Sequence, residues 1–147
     1  MNKVETVTAL LKAIEAQEWG KAASYLTEDF TFSGATPQPI NGEQWMGVHR
    51  AMAAAFSNFR FNFQHAREEG GKVLGSVQLV ADHTSELRLP VPGLPAIPAT
   101  SKHISLPADP VVISFRGEKL SNYEVKSGPA SGIPGILQQI GAAPAAH

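Results

Sequence analysis

The chain has 147 residues, 43% of them hydrophobic and only 17% charged, with 12 basic against 13 acidic side chains for a net charge of -1. That length fits one domain able to bury roughly 70% of its unfolded surface, and the even charge balance excludes the basic stripe that a nucleic-acid partner requires. The absence of cysteine excludes thiol catalysis, disulfides and Cys-based zinc sites.

The start, Met1-Asn2-Lys3-Val4-Glu5, runs into a polar-apolar pattern and lacks the continuous apolar stretch of a signal peptide. No window reaches the ~20 apolar residues of a membrane span. The expectation is a cytoplasmic protein with no membrane partner. Val4, Val7, Leu11 and Ile14 recur at steps of three and four, which predicts a helix over 3–17. Trp19, Ala22, Ala23 and Leu26 continue the pattern past a break near Gly20. Phe30 and Phe32 flank Thr31 as a short strand. Residues 34–42 form a loop punctuated by Pro37 and Pro39. Asn41 or Gly42 caps the next helix and Glu43 complements its dipole. Trp45, Val48, His49, Met52 and Phe56 make its apolar stripe, with His49 on or beside it.

From Asn58 the period changes to two. Phe59, Phe61 and Phe63 alternate with Arg60, Asn62 and Gln64 in a strand that continues to His65 and Arg67. Residues 69–72 are a turn. Val73, Gly75, Val77, Leu79 and Ala81 then alternate toward His83, so the two strands form one long hairpin. The segment 89–98 carries Pro90, Pro92, Pro95 and Pro98, which lack the ladder donor and rule out a central strand. It reads equally as a stiff apolar lid over a pocket or as a rigid connector packed on the core. Extended structure resumes over 103–106, and 111–115 with 120–125 form the last hairpin around a turn at 116–119. Residues 127–135 are rich in turn formers, and 136–140 read as a short terminal helix. Residues 1–141 thus make a single α+β domain, with 142–147 a flexible C-terminal tail.

Three segments in this order carry a family resemblance. His83-Thr84-Ser85-Glu86-Leu87, followed after the proline segment by Pro98-Ala99-Thr100-Ser101-Lys102-His103-Ile104-Ser105, is similar to a His-Thr-Gly, Pro-Pro-Thr-Gly-Lys pattern. Gly117-Glu118-Lys119-Leu120-Ser121-Asn122-Tyr123-Glu124-Val125 resembles an Asp-Gly-Lys-Ile turn leading to a tryptophan-containing strand. Gly135-Ile136-Leu137-Gln138-Gln139-Ile140-Gly141 is close to a closing Gly-Leu-Leu-Gln-Gln-Leu-Gly helix. These are the patterns of SnoaL-like, polyketide cyclase-like proteins of the nuclear transport factor 2-like superfamily. The resemblance implies a cone-shaped curved antiparallel sheet wrapped around N-terminal helices, a cystatin-like α+β barrel. It also implies a frequent homodimer and a pocket for a small apolar molecule. Some members are polyketide cyclases, related in fold to ketosteroid isomerases. This chain departs from the pattern at Tyr123, where the family shows tryptophan, and at Ser85 and Ser101, which replace glycines. The acid/base aspartate of the cyclases falls, without gaps, at Ser127, a side chain that cannot do that work.

Proton removal next to a carbonyl needs a base and a donor for the enolate. Asp82 and His83 are adjacent on a strand and point to opposite faces. His83 shares the register of Val77, Leu79 and Ala81, and the family motif also selects it. It reads as a pocket base or donor, or as a half-buried histidine bonded to a neighbouring strand. Tyr123 reads as a hydroxyl donor to a ligand carbonyl, or as a core aromatic with a hydrated tip. His83 and Tyr123 are the candidate catalytic residues. Trp19, Trp45, His49, Phe61, His65 and Ser127 are the candidate ligand-binding residues, each with a bland alternative as core or strand-end residue. The histidine spacings match no short metal motif, and phosphate-loop, dinucleotide and nucleophile-elbow signatures are absent. The reading is a homodimer that binds a small apolar or aromatic molecule in the sheet concavity, without metal or cofactor, as a cyclase or isomerase. Its rivals are a non-catalytic ligand carrier or dimeric interaction module, and a hydrolase with a positioned water.

Overall fold

The computed structural model describes residues 2–34, 38–88, 96–126 and 132–141. Ser127, most of the proline-rich segment and the tail at 142–147 lie outside the described residues. Helix α1 (Lys3–Glu15) opens on a reciprocal cap: the Asn2 side chain accepts from the Glu5 N–H at 2.8 Å, and the Glu5 carboxylate accepts from the Asn2 N–H at 3.0 Å. Helix α3 (Gly42–Ala55) repeats the device with Asn41 and Gln44, so Asn41 is the cap. Each box satisfies two N–H groups that have no partner inside the helix and stabilises it by about 1 kcal/mol. Between these two helices lie the short α2 (Trp19–Ala23), strand β1 (Leu26–Ser33) and the two-residue β2 (Ile40–Asn41). The buried stripe of α1 is Val7, Leu10, Leu11 and Ile14, and that of α3 is Trp45, Met46, His49 and Met52.

The strands then follow as β3 (Phe56–Arg60), β4 (Gln64–Glu69), β5 (Lys72–Val77), β6 (Val80–His83), β7 (His103–Ser105), β8 (Asp109–Arg116) and β9 (Lys119–Val125), with helix α4 (Gly132–Gln139) last. They form a six-stranded sheet in the order β2-β1-β9-β8-β5-β4 and a three-stranded sheet in the order β3-β6-β7. The architecture is α+β with a curved, mostly antiparallel sheet packed on the N-terminal helices. Two expectations need correction. The large sheet ends at β2 and β4 and does not close into a barrel among the described residues. It is also not wholly antiparallel, because β1 runs parallel to β9.

The long hairpin expected over 58–83 is bent into two parts, one in each sheet. Asn58, Asn62 and His65 take left-handed φ angles of 55°, 46° and 58°, and each turns the backbone out of the pleat. Residues 61–63 leave the ladder, and the register slips between Ser57 and Arg60 and again between Gln64 and Arg67. Such irregularities bend a strand pair. The bend is held by the Gln78 N–H to the Phe61 carbonyl (2.8 Å) and by Asn62 Nδ2 to the Gln78 carbonyl (3.2 Å). At the far side of the small sheet, Gln139 of α4 donates Nε2 to the Ser105 carbonyl (2.8 Å) and accepts the Ser105 N–H (2.7 Å).

Candidate functional site

Trp45 and His49 stand one turn apart on α3 and face the core together. The Trp45 ring packs on Phe30 and Phe32 of β1 (centroids 5.2 and 5.5 Å), on Tyr123 of β9 (5.3 Å) and edge-on against His49 (4.9 Å). His49 in turn meets Phe61 at 5.6 Å and Phe59 at 6.3 Å. One aromatic cluster therefore runs from β9 across α3 to β3. His49 is 8% exposed, and its Nδ1 lies 2.8 Å from the Trp45 carbonyl. A carbonyl only accepts, so Nδ1 carries the proton and, in the neutral ring, Nε2 is an acceptor. Burial pushes the His49 pKa from 6.5 down to about 4, against the opposing effect of the Trp45 carbonyl. The ring is therefore neutral at pH 7.

A cleft of about 240 Å³ opens beside this cluster. Its walls are Glu15 and Gln17 at the end of α1, His49 of α3, and β3 from Phe56 to Arg60. Two of these residues, Gln17 (φ 60°) and Asn58, hold the left-handed backbone that side chains rarely adopt. Glu15 accepts the Phe61 N–H at 2.9 Å, which fixes the hairpin bend to α1. Arg60 folds back to donate Nη1 to the Phe59 carbonyl at 2.8 Å. Asn58 donates Nδ2 to Asp82 (3.0 Å). The other oxygen of Asp82 meets Nδ1 of His103 at 2.7 Å. Those bonds, from Asn58 first and His103 second, hold the Asp82 carboxyl below its ordinary range. Asp29 is likewise lowered by its bond from Arg116 on the surface.

Among the sequence-derived candidates, His49 alone lines this cleft; Trp45 and Phe61 pack on His49, and Tyr123 packs on Trp45, outside the lining. His83 is 0% exposed on β6. Its Nδ1 is 2.9 Å from the Thr100 hydroxyl and accepts the Thr100 N–H at 3.3 Å. The proton of the neutral ring is thereby assigned to Nε2, which is buried and has no hydrogen-bond partner among the described residues. Burial lowers the His83 pKa. Phe56, which lines the cleft, packs on the His83 ring at 5.0 Å. Burial pushes the Tyr123 pKa well above the ordinary phenol value, so its hydroxyl stays protonated. His83 and Tyr123 sit in different sheets, and no ring contact or hydrogen bond joins them among the described residues. Trp19 is half-buried, with Arg50 over its ring at 5.9 Å. His65 is exposed on β4, because its left-handed backbone breaks the alternation that put it in register with the phenylalanines. Sequence reasoning passed over Glu15, Asn58, Arg60 and Thr100. Glu15 had a signal: it lies four residues after Leu11, a polar residue on the apolar stripe of α1.

Among the described residues, no group of three or more His, Asp or Glu is placed to hold a metal ion, and no helix is long and apolar enough to cross a membrane.

No curated protein matches the chain. Solved structures do share its fold. A proposed SnoaL-like polyketide cyclase from Jannaschia sp. CCS1 is 17% identical with a TM-score of 0.72, over 97% of this chain and 93% of the other. A protein with a ketosteroid isomerase-like fold from Catenulispora acidiphila DSM 44928, in complex with trimethylamine, is 18% identical with a TM-score of 0.66, over 95% and 94% of the two chains. An LEH-like epoxide hydrolase from M. tuberculosis is 13% identical with a TM-score of 0.67, over 95% and 92%. A family model described as the SnoaL-like domain matches residues 7–123, and with most of its length so matched the chain belongs to the SnoaL-like domain family.

Proposed function

We propose that the protein binds a small apolar or aromatic molecule in the cleft beside His49 and acts on it by cofactor-independent acid/base chemistry of the cyclase or isomerase type. The observation that carries this reading is His49 itself. It lines the cleft, its tautomer is set by the Trp45 carbonyl, and burial keeps it neutral with an accepting Nε2. A pKa of about 4 gives that nitrogen the base strength of a carboxylate. A base of this strength suffices in ketosteroid isomerases, whose aspartate titrates near ~4.6. The imidazole thus takes the role left open by the serine at position 127. Tyr123, protonated and in ring contact with Trp45, lies behind that ring and outside the cleft lining, so the donor to the ligand carbonyl falls to Arg60 of the cleft wall. The buried His83, its ring packed on Phe56, takes a structural part beside the cleft.

The fold alone does not confer chemistry, so the test is direct. A panel of cyclic and aromatic ketones is incubated with the protein in deuterated buffer, and exchange of the protons beside the carbonyl is followed by mass spectrometry. Exchange above the buffer rate for at least one ketone, reduced about 100-fold in His49→Gln, is the expected result. Exchange at the buffer rate throughout, with thermal stabilisation by some panel members, would leave the non-catalytic ligand carrier as the better reading. That rival draws on the separation of His83 from Tyr123.

A further inference from the structure

Resting on this reading of the cleft as the ligand site, we infer that the ligand it holds best is an apolar ring carrying a hydroxyl, a phenol or ring alcohol, whose O–H is hydrogen-bonded to the His49 nitrogen in place of a ketone's α-proton, so that such a ligand occupies the base; a carboxylate or an amine is disfavoured there. The polar groups of the wall are unequal in kind. Nε2 of His49 accepts, because Nδ1 carries the proton and donates it to the Trp45 carbonyl. Glu15, when ionised, accepts only, and one of its oxygens already holds the Phe61 N–H. Asn58 gives one Nδ2 hydrogen to Asp82 and keeps its second N–H and its carbonyl oxygen, so it can serve either kind of partner. Against the accepting imidazole and Glu15 stands Arg60, an exposed donor folded onto the Phe59 carbonyl of its own strand, while Gln17, Ser57 and Asn58 can serve either kind of partner.

A carboxylate bound in this cleft would gain the exposed Arg60 guanidinium but would bring accepting oxygens against the accepting imidazole and the Glu15 carboxylate of the inner wall. An ammonium would gain Glu15 but would share the cleft with the Arg60 guanidinium. A hydroxyl satisfies both kinds of group, donating to the imidazole and accepting from the arginine. Size points to a small ring system as well. The volume of about 240 Å³ lies below the ~300–1,000 Å³ of pockets for drug-sized ligands. Phe56 and Phe59 supply the apolar surface for the ring.

The test uses the full chain at pH 7 with phenol, benzoate and benzylamine as probes, followed by NMR of the backbone amides and of the histidine ring nitrogens. Phenol is expected to shift the Phe59–Phe61 amides and the His49 Nε2 resonance, and to bind about tenfold more tightly than either charged probe, the worth of one buried hydrogen bond. In His49→Leu the advantage of phenol over benzoate falls to near onefold. The wild-type Nε2 resonance gives the same answer if that variant does not fold: it moves with phenol and stays with benzoate. Benzoate or benzylamine binding at the same amides as tightly as phenol would overturn the hydroxyl preference alone. Failure of all three to shift those amides would overturn the cleft reading together with it.

Discussion

At His49 the hydrogen bond that selects the tautomer sits beside the burial that sets a pH response. An unfolded histidine takes up a proton near 6.5, whereas the folded ring resists until about 4. Between those values the unfolded state binds more protons, so the contribution to stability is complete above pH 6.5 and is lost as the pH falls toward 4. A shift of that size corresponds to about 3 kcal/mol. Urea unfolding at pH 7.0 and 4.5 should show the loss, and it should be smaller in His49→Leu. Some loss persists there, because His83 is lowered in the same direction. A variant with the wild-type difference between the two pH values would contradict this account. Trp45 carries a different load. Its ring meets Phe30, Phe32, His49 and Tyr123. Trp45→Ala should therefore cost about 3–5 kcal/mol in equilibrium unfolding, through lost contacts and the cavity left behind.

Among the elements, the bend between β3 and β4 is the one on which the cleft depends, and Glu15 is its anchor. Glu15→Ala leaves the Phe61 N–H without its acceptor and should cost about 1–2 kcal/mol. Hydrogen exchange at Phe61 should speed up accordingly, whereas Glu15→Gln, which keeps an accepting oxygen, should restore most of the protection. Gly34, just after β1, is the most crowded of the described glycines. It sits at φ +98°, and a Cβ there would lie 1.8 Å from the Val125 carbonyl oxygen. Gly34→Ala should destabilise by at least ~2 kcal/mol, read as a lower urea midpoint, through strain at β1 and displacement of β9. These elements also show what sequence can express. The two caps are spelled locally as Asn2 with Glu5 and Asn41 with Gln44, and the apolar steps of α1 and α3 follow from a 3.6 period. The β8–β9 hairpin is legible too, as two alternating runs around Gly117. The bend at 61–63 is not, since an unbroken Phe-x-Phe-x-Phe alternation describes a straight strand. Two asparagines hint at left-handed backbone, but His65 offers no such hint. The parallel partner of β1 was equally hidden, because side-chain alternation says nothing about the direction of the neighbouring strand.

At the scale of the whole molecule, an open sheet of six strands and a smaller one of three meet at that bent hairpin, and the helices cover the side on which the cleft lies. That Trp45, His49 and Tyr123 each face inward was readable from its own element, but that their rings form one cluster was not, because the sequence paired Tyr123 with His83 instead. Their distance from His83 was hidden too, because it depends on which sheet each strand joins. The contact between Gln139 and Ser105 has a consequence of the same global kind. Strand β7 lies at the border of the small sheet, where unpaired backbone groups are a template for another chain. One carboxamide fills that border by imitating a peptide unit, giving and taking a hydrogen bond at the same residue. The terminal helix is thus a guard against unwanted company as well as a cover for the core. Gln139→Ala should leave the fold of the chain intact while raising concentration-dependent association beyond that of the parent, visible by light scattering. A variant as monodisperse as the parent would mean that the border is protected by something else.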